Sequence, residues 1–239
     1  MKKKSGYSAA FRAAFPYTIP VLTGYLFIGI AFGIMFQEKG YNFLWAALMS
    51  ILVYAGSGQY LAVNFFAPGV TLFQVIFMTF MVNVRHIFYG ISMLDRFKNM
   101  GKKKLYMIFS LTDETYSLFF ITKVPKDVDE RKFLLAVALL DQCYWILGSV
   151  IGALAGHLLP FDSTGVDFAM TALFLVIMTE QWLAGKNHIP ALVGLGSALV
   201  CRLIFGASNF ILPSMICILL ILLSFRKVVE EKEVDTNAP

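Results

Sequence analysis

Arg85, Asp113, Glu114 and Asp141 each lie well inside a long apolar run, where a charged side chain has the fewest reasons to be. Arg85 belongs to Asn83-Val84-Arg85-His86, and the basic loop 95–104 begins about ten residues further on, roughly 15 Å at the helical rise. That is beyond easy snorkelling, and an unpaired charge at such depth costs at least about 3 kcal/mol. Arg85 therefore calls for an internal anion or a water-filled space. At helical spacing Asn83, His86 and Tyr89 share one face, and Arg85, Tyr89 and Ser92 share the next. Asp113 and Glu114 sit at the centre of the run 105–121 and supply possible anions. Either one paired with Arg85 would lock two helices together, and either one left protonated could carry a proton. Asp141 shares a face of the run 133–159 with Tyr144, Trp145 and Gly148, which Gly152 and Gly156 continue. Asp-x-x-Tyr thus occurs at Asp113 to Tyr116 and again at Asp141 to Tyr144, an echo of the kind internal repeats leave and also one that coincidence produces.

These groups need elements to position them, and the least regular element is the run 43–66. Tyr54-Ala55-Gly56-Ser57-Gly58-Gln59 interrupts it with two glycines, a hydroxyl and an amide. Such a stretch lowers helix propensity and brings polar groups to a depth where lipid cannot satisfy them. Two readings stand side by side. The helix is broken there and lines a watery cavity, or Gly56 and Gly58 make a close helix contact while Ser57 bonds its own helix and Gln59 a neighbour.

Hydrophobic residues make up 58% of the 239 residues and charged ones 15%, against about a quarter charged in a soluble domain, so the chain is built for lipid. The expected fold is all-α: a polytopic integral membrane protein of seven or eight transmembrane helices, at least one of them broken around residues 54–59. A basic segment, 1–15, precedes a transmembrane domain, 16–225, and a charged tail, 226–239. Gly29-Ile30-Ala31-Phe32-Gly33 in the first run offers a small-xxx-small face to a second helix. The formal charge of +5 sits at the ends of apolar segments and reads as a topology signal rather than as nucleic-acid binding. It places the N-terminus in the cytoplasm. Eight crossings put the loop 95–104 outside and the loop 122–132 inside, whereas a second segment that turns back brings 95–104 inside and reverses all that follows.

Cys143, Cys201 and Cys217 lie in apolar runs without metal-ligand spacing, so no metal site, cofactor or disulfide framework is expected. His-Glu-x-x-His spacing is absent and Ser57 has no visible His and Asp arrangement, which leaves a membrane-embedded enzyme unsupported. An accessory or structural subunit of a complex that transports a different solute is the stronger rival to a permease.

Gly29-x-Ala31-Phe32-Gly33, Tyr54-Ala55-Gly56-Ser57-x-Gln59, Asn83-x-Arg85-x-x-x-Tyr89 and Asp113-Glu114-x-Tyr116 occur in one order, and together they resemble the signature of the AzlC-type branched-chain amino acid permeases. The resemblance implies a multi-pass permease of the bacterial plasma membrane that exports leucine, isoleucine, valine or their analogues and works with a small AzlD-like membrane subunit, with homo-oligomers also open. An amino acid needs an anion binder, a cation binder and an apolar pocket, and broken helices supply the first two through their ends. The expected substrate site is Tyr54, Gly56, Ser57, Gly58, Gln59, Asn83, Arg85 and Tyr89, with Arg85 near the carboxylate or acting as a gate. Tyr54, Phe88 and Trp145 would shape the apolar wall. Asp113, Glu114 and Asp141 are the candidates for proton coupling.

Overall fold

The computed structural model describes residues 6–66, 69–122, 124–158 and 188–225, with positions 168, 171, 172, 175, 178, 179, 182 and 183 between the last two. Residues 1–5 of the basic segment and the tail 226–239 lie outside the described residues. All described elements are helical, and the chain forms two units, Met1–Thr171 and Ala172–Pro239.

The first unit is built on two long helices, α1 (Tyr7–Glu38) and α8 (Glu130–Leu158), both long and apolar enough to cross a membrane. They run in the same direction. Lys132 lies over the Tyr7 ring, Thr18 bonds Tyr144, Gly29 meets Gly148 and Gln37 meets Gly156. Glycine makes this approach possible. A Cβ on Gly33 would stand 2.2 Å from the Ser149 carbonyl oxygen, and one on Gly152 would stand 2.0 Å from that of Ile30. The small-residue faces expected in both runs therefore face each other.

Between these helices the chain folds as α2 (Phe43–Leu52), α3 (Gly56–Phe65), α4 (Leu72–Asn83), α5 (Arg85–Ser92), α6 (Lys103–Phe109) and α7 (Asp113–Ile121). Helices α4 and α5 are nearly continuous and together are long enough to cross. Helices α2 and α3 do not cross. At ten residues each they reach about 15 Å, half the hydrocarbon thickness. Tyr41 before α2 and Phe66 after α3 have ring centroids 4.6 Å apart, and Phe36 near the end of α1 lies 4.9 Å from Tyr41. The pair is a hairpin that returns to the end where α1 finishes.

Helices α6 and α7 make a second hairpin from the opposite end. Lys103 bonds the Tyr7 hydroxyl at the start of α1, while Phe119 near the end of α7 packs on Phe97 and accepts from Arg96 at its carbonyl. Arg96 also pairs with Glu130, and Arg131 donates to the Asn99 carbonyl oxygen. The start of α1, the loop after α5 and the start of α8 thus share one end. Of the two alternatives for the run 43–66, the structure takes the one that turns back. The run 105–121 also folds back instead of crossing, which was not expected, and it brings the loop 95–104 to the same end as the loop 122–132. Reversal at the first hairpin is undone by the second, so the basic segments gather without the conflict that eight crossings create.

The breaks have local causes. Asn42 caps α2 through Leu44 and Trp45 N–H, Thr71 and Gln74 form a capping box on α4, and Thr112 caps α7 through Thr115 N–H. The interruption near residue 54 lies before the glycines rather than at them. Tyr54 takes the left-handed conformation (φ 42°), and Gly56 to Gln59 form the first turn of α3. The glycines serve close approach, with a Cβ at Gly56 3.3 Å from the Trp145 ring and one at Gly58 3.1 Å from the Asn83 amide.

In the second unit, α9 (Ile189–Asn209) is kinked at Gly206 (φ 76°), and Ile189–Gly206 is long and apolar enough to cross. Helix α10 (Ile211–Ser224) follows, and Arg202 lies 5.9 Å from the Phe210 ring.

Candidate functional site

The hairpin tips, residues 53–55 and 110–112, meet halfway along α1 and α8, and nearly every charged or polar residue singled out in the first unit gathers around them. Tyr54 packs on Phe109, and Gln142 of α8 ties the hairpins together. Its Oε1 accepts from Tyr106 of α6 at 2.7 Å, and its Nε2 donates to the carbonyl oxygen of Ile51, in the last turn of α2, at 3.2 Å. That carbonyl has no helical partner of its own.

Arg85 opens α5 beside both tips. Its Nη1 lies 3.0 Å from Asp113 Oδ2, and its Nη2 donates to Ser57 Oγ at 2.6 Å. Asp113 is the first residue of α7, where the helix dipole favours a carboxylate, and its Oδ1 accepts from Tyr89 at 2.7 Å. Tyr89 stacks on Tyr116 at 4.5 Å. Ser57 lies in the first turn of α3, whose preceding residue, Ala55, provides no side-chain cap. A guanidinium and the N-terminal ends of two half-helices therefore converge on one place. Arg85 and Asp113 keep 27% and 21% of their side chains exposed, so the pair is reachable and not sealed.

Gln59 belongs to the anchoring of the hairpin. It is fully buried, donates to Ser50 Oγ at 3.2 Å and accepts from Trp145 Nε1 at 2.8 Å, and Ser50 in turn donates to Ser149. Of the two readings of this stretch, Gln59 follows the packing one, and Ser57 bonds a neighbouring arginine rather than its own helix. Trp145 sits between Gly56, Tyr25 and Phe32. Phe88 is 66% exposed, so it does not pack with Tyr54 and Trp145 into an apolar wall.

Among the described residues, Glu114 and Asp141 make no ion pair with Arg85 and bond hydroxyls instead. Glu114 Oε2 accepts from the Tyr25 hydroxyl at 2.8 Å, and Asp141 Oδ2 accepts from Thr115 at 2.8 Å. Tyr25, Thr112 and Thr115 escaped the reading of the sequence as site residues. The available signal was Thr112-Asp113-Glu114-Thr115, an N-cap followed by acids in the middle of an apolar run. Among the described residues, four buried side-chain polar atoms have no partner: Tyr54 Oη, Asn83 Oδ1, Arg85 Nε and Asp141 Oδ1. All four belong to this site.

A sequence model of the AzlC protein family matches residues 20–159, which include α8 and both hairpins. The chain is 45% identical to the branched-chain amino acid transport protein AzlC of Bacillus subtilis over 235 residues, covering 98% of this chain and 92% of the relative. It is also 45% identical over 214 residues to an uncharacterized membrane protein of Haemophilus influenzae, covering 89% and 88%. The inner membrane protein YgaZ of Escherichia coli is 26% identical over 217 residues, with 88% of each chain covered. No solved structure matches the chain.

Proposed function

The chain belongs to the AzlC family, and on that premise we propose that it is a permease of the bacterial plasma membrane that exports leucine, isoleucine, valine or their analogues. The observation that carries this reading is the convergence of unsatisfied polar atoms on two opposed hairpin tips. Buried polar groups in folded proteins are nearly always paired, and unpaired ones on Arg85 itself, Asn83 and Tyr54 at the hairpin tips mark a place that a polar solute occupies. The substrate carboxylate replaces Asp113 on Arg85 and uses the uncapped first turn of α3, while the ammonium lies toward the carboxyls. Trp145 and Tyr54 supply the apolar contact for a branched side chain.

Export is coupled to protons through carboxyls that the substrate leaves or meets on its way, Asp113 at the arginine and Glu114 and Asp141 beyond it. A small AzlD-like subunit accompanies the chain. Its place is supported by α4, which leads directly into the arginine and yet has no buried residue. A carrier of this kind performs no covalent chemistry and is not an enzyme.

Efflux of labelled leucine from vesicles tests the reading. Arg85→Ala and Asp113→Asn lose at least about tenfold in rate, the effect of one charge-assisted contact, at parent protein levels. Export at the parent rate in both variants overturns it. Branched-chain amino acid accumulation in cells fed dipeptides, with and without the gene and its neighbour, fixes substrate and partner.

A further inference from the structure

Five side chains from three helices and one hairpin tip form a continuous line through the interior of the first unit. Glu114 Oε2 is 2.8 Å from Tyr25 Oη, which is 2.5 Å from Thr112 Oγ1, which is 3.0 Å from Thr115 Oγ1, which is 2.8 Å from Asp141 Oδ2. Each of these links is a hydrogen-bond contact and needs one hydrogen. The line has four links, but its three hydroxyls bring three hydrogens. The Thr115 backbone N–H also reaches Thr112 Oγ1, at 3.2 Å, and supplies its own hydrogen, so it leaves the deficit unchanged. With both carboxyls ionised, one link sets two lone pairs against each other in a buried setting, which is costly. A single added proton on either carboxyl completes every link.

We propose that Glu114, Tyr25, Thr112, Thr115 and Asp141 are a proton wire that holds one proton between two carboxyls and passes it from partly buried Glu114 to sealed Asp141. Two arrangements satisfy all four links, and they differ only in direction. With the proton on Glu114, each hydroxyl donates toward Asp141; with it on Asp141, each donates toward Glu114. In the transfer Glu114 gives its hydrogen to Tyr25, Tyr25 gives its own to Thr112, Thr112 to Thr115 and Thr115 to Asp141 Oδ2. Each hydroxyl gains one hydrogen as it loses one, so only the carboxyls change charge. Asp141 has no exposed surface, and Tyr25, Thr112 and Thr115 are all buried, so water does not compete along the line. The ionisable groups facing Glu114 are Tyr25 of α1, neighbouring Asp113, Arg85 and Tyr89 of α5, Tyr54 at the other tip and Asp141 of α8. Those facing Asp141 are Tyr25 of α1, Tyr54 at the other tip, Tyr106 of α6, Tyr144 of its own helix and Glu114. The wire rests on the permease reading only for what the proton drives.

Infrared spectroscopy of the purified chain in lipid nanodiscs, moved from H2O to D2O, reads the wire without any transported solute. The expected result is a protonated-carboxyl C=O band that shifts on deuteration as fast as mixing allows. Thr115→Val cuts the line without removing a charge and slows the shift at least about tenfold; Thr115→Ser restores it. Tyr25→Phe cuts a different link and slows it likewise. Absence of the band, no rescue by serine, or exchange at the parent rate in both cut variants overturns the wire. A chain that exchanges as expected but exports no amino acid overturns the permease reading and leaves the wire standing.

Discussion

The two hairpins enter from opposite ends, the first with helices of ten residues each and the second with helices of seven and nine, and their tips are made of different chemistry. The α2–α3 tip is neutral. Its key amide, Gln59, spends both ends on fixed partners, Ser50 and Trp145, and its glycines are pressed against the Trp145 ring and the Asn83 side chain. The α6–α7 tip carries Asp113 and Glu114 in the first turn of a capped helix, partly buried and bonded to groups that can change partner. One hairpin is anchored to α8, and the other presents carboxyls to an arginine and to a line of hydroxyls. Two opposed hairpins therefore support a division of labour: a fixed wall on one side of Arg85 and titratable groups on the other.

Variants in the two tips should separate these roles. Gln59→Leu leaves the Trp145 N–H without its buried acceptor and Ser50 without its amide donor, and costs about 2 kcal/mol of stability. Thermal unfolding in detergent shows the loss, and a leucine affinity that is unchanged in the surviving folded protein sharpens the contrast with Asp113→Asn, where efflux is lost. An unchanged midpoint for Gln59→Leu breaks the comparison. Thr112→Ala gives the smaller effect on stability, about 1 kcal/mol for a lost helix cap, measured in the same way. Because Thr112 is also a member of the wire, this variant slows carboxyl deuteration far more than its modest destabilisation explains.

Much of this arrangement was legible in the residues. The depth of Arg85 demanded an anion, and Asp113 is that anion. The Gly29 and Gly33 face and the Gly148, Gly152 and Gly156 face were read separately, and they pack on each other. Hydropathy did not reveal that the runs 43–66 and 105–121 turn back, because two half-helices have the composition of one whole helix. Only the cap at Thr112 and the low propensity around Gly56 hinted at it. The first break falls at the start of the expected stretch 54–59: Tyr54, not a glycine, takes the positive φ, while the glycines are needed for contact. Tyr25 gave no signal, since a lone tyrosine in an apolar helix reads as packing until its hydroxyl is seen beside Thr112 and Glu114.

The central claim is that a solute passes between the two tips at Ser57, Arg85 and Asp113. Its most direct measurement is the rate at which a thiol reagent labels Ser57→Cys in a background with Cys143, Cys201 and Cys217 changed to serine. The account predicts that leucine slows this labelling and that Arg85→Ala removes the protection. Labelling at one rate with and without leucine would contradict it.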